Sequence, residues 1–124
     1  MSWSPEEIVE RLRSRDETTR VEGKKGLGKS ARETVSAFAN EPDLGGGWLV
    51  FGVSRDDAGR YGIVGVDEPD RLQADLASQC RTHFNRPVRP DIRVGELEGS
   101  IVVVAFMPEA DARDKPIYVS AVGL

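Results

Sequence analysis

The sequence predicts an α+β fold: a mixed, mainly antiparallel sheet with two to three helices packed on it. Three observations predict it. Two continuous apolar runs, WLVFGV at 48–53 and IVVVAF at 101–106, read as strands buried on both faces. Each is joined to a second extended segment by a turn of Asp and Gly character, SRDDAGR at 54–60 and Glu98-Gly99, which is the pattern of hairpins. The chain also offers at most two crossover helices, too few for a parallel nucleotide-binding sheet.

The first helix opens at Ser4-Pro5-Glu6-Glu7, with serine at the N-cap, proline in the first turn and a glutamate placed to close the cap. Ile8 and Leu12 then share one face of residues 5–14. TTRVE at 18–22 reads as a short strand and 23–29 as a loop. Residues 31–39 form a second helix, with Val35, Phe38 and Ala39 on one face, ended by Asn40 and Pro42. Glycines at 45–47 turn the chain into WLVFGV, and YGIVGV at 61–66 returns beside it. Asp67-Glu68-Pro69 starts a third helix over 69–83, with Leu72 and Leu76 facing inward, and Pro87 and Pro90 break it. Residues 92–97 alternate, IVVVAF pairs with them, and Pro108 stops that strand. KPIYV at 115–119 is a last short extended piece.

At 124 residues the chain is expected to form one domain with a real core. Its end, directly after a strand-like segment, predicts that 1–124 is the N-terminal part of a longer protein. The apolar runs are too short to span a bilayer, and the acidic, amphipathic N-terminus does not resemble a signal peptide. A single cysteine, Cys80, has no internal disulfide partner, and together these predict a cytoplasmic protein with no membrane contact. Cys80 itself reads as a half-buried helix residue, since a nucleophile needs a pKa-lowering neighbourhood.

The net charge of −4 conceals an asymmetry. Residues 11–32 hold eight basic side chains against three acidic ones, a local +5, while the remainder sums to −9. A nucleic-acid binder needs such a local positive surface rather than a positive total. Arg81, His83, Arg86 and Arg89 form a second basic cluster. His83 is the sole histidine, so it builds no histidine metal site and reads as a helix-end surface residue. Of six Phe and Trp side chains several fall in apolar runs, which leaves little aromatic surface for stacking bases.

Three chemistries compete for the segment 15–32. Gly23-Lys24-Lys25-Gly26-Leu27-Gly28-Lys29-Ser30 matches G-x-x-x-x-G-K-S, in which loop amides cradle phosphates, Lys29 meets the terminal phosphates and Ser30 holds magnesium. The preceding DETTRVE is polar, however, and no later apolar strand runs into a suitably placed aspartate. The second chemistry is a nuclease in which carboxylates hold magnesium or manganese, Glu17 and Glu22 bracketing an extended stretch and Asp56 and Asp57 lying just beyond a core strand, while Lys24 or Lys25 stabilises the phosphorane. The third is binding without catalysis, in which Arg20, Lys24, Lys25, Lys29 and Arg32 neutralise phosphates and no cofactor is needed.

Taken in order, Glu17-x4-Glu22-x-Lys24, SAFAN, Gly-Gly-x-Leu-Val-Phe-Gly-Val, Ile-Val-Gly-Val, Arg89-Pro90-Asp91-Ile92, IVVVAFMPEA and Lys115-Pro116-Ile117-Tyr118 resemble the Schlafen/Alba-type DNA-binding domain family, also labelled divergent AAA. Gly23 departs from the aromatic residue usual at its position, and an arginine-bearing strand usual after KPVY does not follow here. The resemblance implies an AlbA-like α+β domain of a transcriptional regulator that binds nucleic acid, foremost DNA. For members that cleave RNA it implies Glu17, Glu22 and a turn aspartate, Asp56, as metal ligands. The expected partners are therefore a nucleic acid and, through strands with few edge guards, a second copy of the chain.

Overall fold

A computed structural model describes residues 3–14, 20–43 and 45–120. Helix α1 (Pro5–Ser14) starts with the expected reciprocal cap: Ser4 N–H donates to Glu7 Oε1 and Glu7 N–H to Ser4 Oγ, both at 3.2 Å. Strand β1 (Val21–Lys24) leads through a lysine- and glycine-rich loop to helix α2 (Lys29–Asn40). Strand β2 (Gly46–Phe51) follows, then the short strands β3 (Val53–Arg55) and β4 (Tyr61–Ile63), helix α3 (Pro69–Thr82), and strands β5 (Asp91–Leu97) and β6 (Ser100–Pro108).

The main sheet has the order β1-β2-β6-β5. β1 runs parallel to β2, with Val21 opposite Trp48 and Lys24 opposite Phe51, and the other pairs are antiparallel. The alternation of side chains along the central strands explains why they are apolar throughout. Trp48, Val50 and Val104 face Ile8, Val9 and Leu12 of α1. Leu49, Phe51, Val103, Ala105 and Met107 face the opposite way, onto Val35 and Phe38 of α2 and Leu76 and Cys80 of α3. The result is three layers, with one helix on one face of the sheet and two on the other. Each fully buried aliphatic or aromatic side chain here stabilises the fold by about 2 kcal/mol.

Four sequence expectations are corrected. WLVFGV is not one strand: Gly52, at φ 99°, turns the chain after Phe51. A Cβ there would press on Val66 and on the backbone around Gly65 and Ile101. Val53 therefore starts a separate two-stranded sheet with β4, folded over the α1 side of the molecule, where Val53, Tyr61 and Ile63 join the α1 cluster. The returning strand ends at Ile63, because Val64 and Gly65 turn back to donate to Gly52 O. Residues 18 and 19 of the strand expected at 18–22 lie outside the described part, and the described strand, Val21–Lys24, runs two residues into the expected loop. KPIYV joins no sheet. It makes an isolated bridge from Val119 to Phe84, and side-chain amides pair with its backbone.

Candidate nucleic-acid interface

β1 and the β3–β4 hairpin build the site between them. Alternation along β1 sends Glu22 and Lys24 toward α2. Glu22 Oε2 accepts the Thr34 hydroxyl at 2.9 Å, and Lys24 Nζ donates to Ser30 Oγ at 2.5 Å while standing 3.8 Å from Glu22. The Lys24 side chain is 19% exposed and that of Glu22 51%, so carboxylate and ammonium partly neutralise each other at the surface.

Gly23 points the other way. A Cβ on it would lie 2.7 Å from the Tyr61 ring and from Val53, so the glycine is the hollow into which the hairpin's tyrosine fits. A side chain at position 23 and the Tyr61 ring would claim the same space. Arg13 of α1 donates to Tyr61 O at 3.2 Å and holds this strand in place. The guanidinium of Arg55 lies 5.8 Å from the Tyr61 ring centroid, at the outer limit of a cation–π contact. Between β1 and the hairpin an open cleft of about 660 Å³ is lined by Glu22, Lys24, Lys25, Ser54, Arg55 and Tyr61, among others.

The candidate residues separate into those that reach this cleft and those that do not. Lys24 and Lys25 line it. Lys29 is exposed at the start of α2, whose N-cap Gly28 supplies no side-chain cap and whose first turn has no acidic residue. Arg20 packs its guanidinium 4.6 Å above the Phe38 ring, and Arg32 reaches Gln79 on α3 at 3.4 Å. Arg20 Nη1 and Arg32 Nε are buried without a hydrogen-bond partner among the described residues. These two arginines are built into the packing around α2. Asp56 lines a neighbouring hollow, and its Oδ1 accepts from the backbone of Ala58 and Arg60 at 2.9 and 2.8 Å. Glu17 lies outside the described residues, and among those described no three His, Cys, Asp or Glu side chains gather to hold a metal.

The model of the Schlafen, AlbA_2 family matches residues 17–122. The chain belongs to this family. Its fold is also that of solved proteins. The N-terminal domain of a RecG-related protein from Nitrosomonas europaea, determined by solution NMR, is 43% identical and superposes with a TM-score of 0.85, over 99% of this chain and 84% of that one. The DIP2311 protein from Corynebacterium diphtheriae superposes at 0.62 with 23% identity, over 91% of this chain but 23% of that longer one, and shares the fold. No curated protein matches.

In this AlbA_2 chain two cleft residues escaped the sequence reading, Arg55 and Tyr61. Both flank a turn that reads as an ordinary hairpin loop, and nothing local says that the hairpin folds back over β1. The second basic cluster stays apart from the cleft. Arg86 pairs with Asp114 at 3.8 Å, while Arg81 and Arg89 border a hollow beside Pro87 and Pro90. His83 closes the end of α3 through its backbone N–H to Gln79 O. Cys80 is fully buried rather than half-buried, and that burial pushes its thiol up to about 11. Among the described residues no helix is long and apolar enough to cross a membrane.

Proposed function

We propose that this AlbA_2 chain is a nucleic-acid-binding module whose ligand is DNA, serving as the DNA-contacting part of a larger protein such as a transcriptional regulator. The observation that carries the reading is the convergence of Lys24, Lys25 and Arg55, from separate segments, around one open cleft. Lys29 extends the same positive surface at an uncapped helix start, where the backbone dipole also favours anions. The name of the 43% identical Nitrosomonas relative, which ties it to the RecG ATP-dependent DNA helicase, supports DNA over other polyanions.

Contacts of this kind need no metal or nucleotide. The nucleotide reading draws less support, because the Ser30 hydroxyl that would face a metal accepts from Lys24 instead. The nuclease reading likewise has Glu22 engaged by Thr34, and Asp56 engaged by its own turn.

Fluorescence anisotropy with labelled DNA over a salt series tests the proposal, with chelator present throughout. Affinity is expected to fall steeply with salt, with a slope of about −0.7 to −0.9 per phosphate neutralised. A Lys24→Ala/Lys25→Ala/Arg55→Ala variant, checked for folding by circular dichroism, should lose affinity and flatten that slope by about two to three. Absence of binding at low salt, or binding indifferent to both salt and the variant, overturns it.

A further inference from the structure

Tyr61 is more than packing. One side of its ring rests where Gly23 leaves room, against Val53 and Leu12. Its backbone carbonyl is held by Arg13. The ring is therefore fixed, yet Tyr61 remains half-buried rather than enclosed. Together with Ser54 and Arg55 it lines two adjoining hollows: the cleft of about 660 Å³ that holds Lys24 and Lys25, and one of about 300 Å³ that holds Arg60. Cations thus line both hollows that Tyr61 borders, and the Arg55 guanidinium lies over its ring. The acids nearby are already committed, Asp56 to the amides of its turn and Glu22 to Thr34 and Lys24.

A ring set among cations does nothing for a paired duplex, whose bases keep their faces stacked on one another. It suits a strand whose bases are free. From this we infer that the cleft takes an unpaired DNA strand, with one base stacked on Tyr61 and the flanking phosphates on the exposed Lys25 and Arg55. The inference rests on the DNA reading proposed above and names the form of DNA that the site takes. The Arg55 guanidinium lies over the ring, 5.8 Å from its centroid, so a base that stacks on Tyr61 enters between ring and guanidinium and meets the cation on its other face.

The test compares three probes of equal length by anisotropy at low salt: oligo(dT), a strand of abasic sites with the same phosphates, and a duplex. The protein is used unaltered and as Tyr61→Phe and Tyr61→Leu. The unaltered protein should bind oligo(dT) about tenfold more tightly than the abasic strand. Tyr61→Phe should keep that advantage, and Tyr61→Leu, which preserves apolar packing against Val53, should abolish it. Equal affinity of the unaltered protein for oligo(dT) and the abasic strand overturns the inference while the DNA reading stands. It decides the matter even if Tyr61→Leu folds poorly. An advantage that survives in a folded Tyr61→Leu also overturns it. Failure of all three probes to bind removes the DNA reading itself.

Discussion

Two corners of the molecule are rich in polar groups and use them in opposite ways. Where residues 115–120 cross the ends of α2 and α3, polar groups meet polar groups. Asn40 Oδ1 accepts Ile117 N–H at 2.6 Å and its Nδ2 donates to Ile117 O at 2.7 Å. Asn85 does the same from the other side, accepting Tyr118 N–H at 2.8 Å and donating to Pro116 O at 3.0 Å. Two amide side chains thus stand in for neighbouring strands and hold Ile117 in the core. Close by, Glu109 accepts Lys115 Nζ at 2.7 Å and Gly45 N–H at 2.9 Å, which fixes the loop between α2 and β2. At the cleft, by contrast, Lys25 and Arg55 are exposed and gathered with the same sign of charge. Polar groups that satisfy one another hold the fold together, and cations left facing outward stay available to a ligand.

The comparison breaks most sharply at Asn40. Asn40→Ala leaves the buried N–H of Ile117 unpaired and removes one of the two donors to Ile117 O, which keeps the Ser36 hydroxyl, and should cost about 3 kcal/mol in urea unfolding. DNA affinity per folded molecule should be unchanged. A parallel loss of affinity in the folded fraction would show that the two corners are not separate.

Gly23→Phe probes the other corner. The new side chain competes with Tyr61 for one space, and overpacking of this kind costs about 2 kcal/mol. Because it displaces the hairpin, it should weaken DNA binding as well as stability. Adding Tyr61→Ala should restore part of the stability, measured by the same unfolding curves, and a double variant no more stable than Gly23→Phe alone would refute that competition.

The smallest effect is expected from acid. The hydrogen bond from Lys115, followed by the Gly45 amide, holds the Glu109 carboxyl at about 2, well below its ordinary 4.5. The folded value is the lower one, so this contribution to stability is complete above about pH 4.5 and is lost as pH falls toward 2. Glu109→Gln should therefore be less stable than the unaltered chain at pH 7, and the gap should close between pH 4.5 and 2. A gap independent of pH would assign the loss to geometry rather than charge.

Much of the framework was legible because its causes are local. The Ser4–Glu7 cap, the helix faces of Ile8 and Leu12, the proline at the start of α3 and the continuous apolar strands each follow from neighbouring residues. The site was legible in part. Charge singled out five cations: Lys24 and Lys25 line the cleft and Lys29 is exposed at the start of α2, but Arg20 and Arg32 are drawn into packing, because the ring of Phe38 and the amide of Gln79 lie within their reach. The SAFAN and KPIY motifs stood out as separate words. Their connection, Asn40 to Ile117, spans 77 residues and has no local sign.

The sequence by itself determined the secondary elements, the two-faced core and the positive segment, since periodicity, capping and composition act over a few residues. Only the tertiary structure decided the rest: that β1 lies parallel to β2, that Gly52 splits an apolar run into two sheets, and that Tyr61 fills the space above Gly23. Those outcomes depend on which distant surfaces bury each other, a competition among contacts that no short stretch of chain contains.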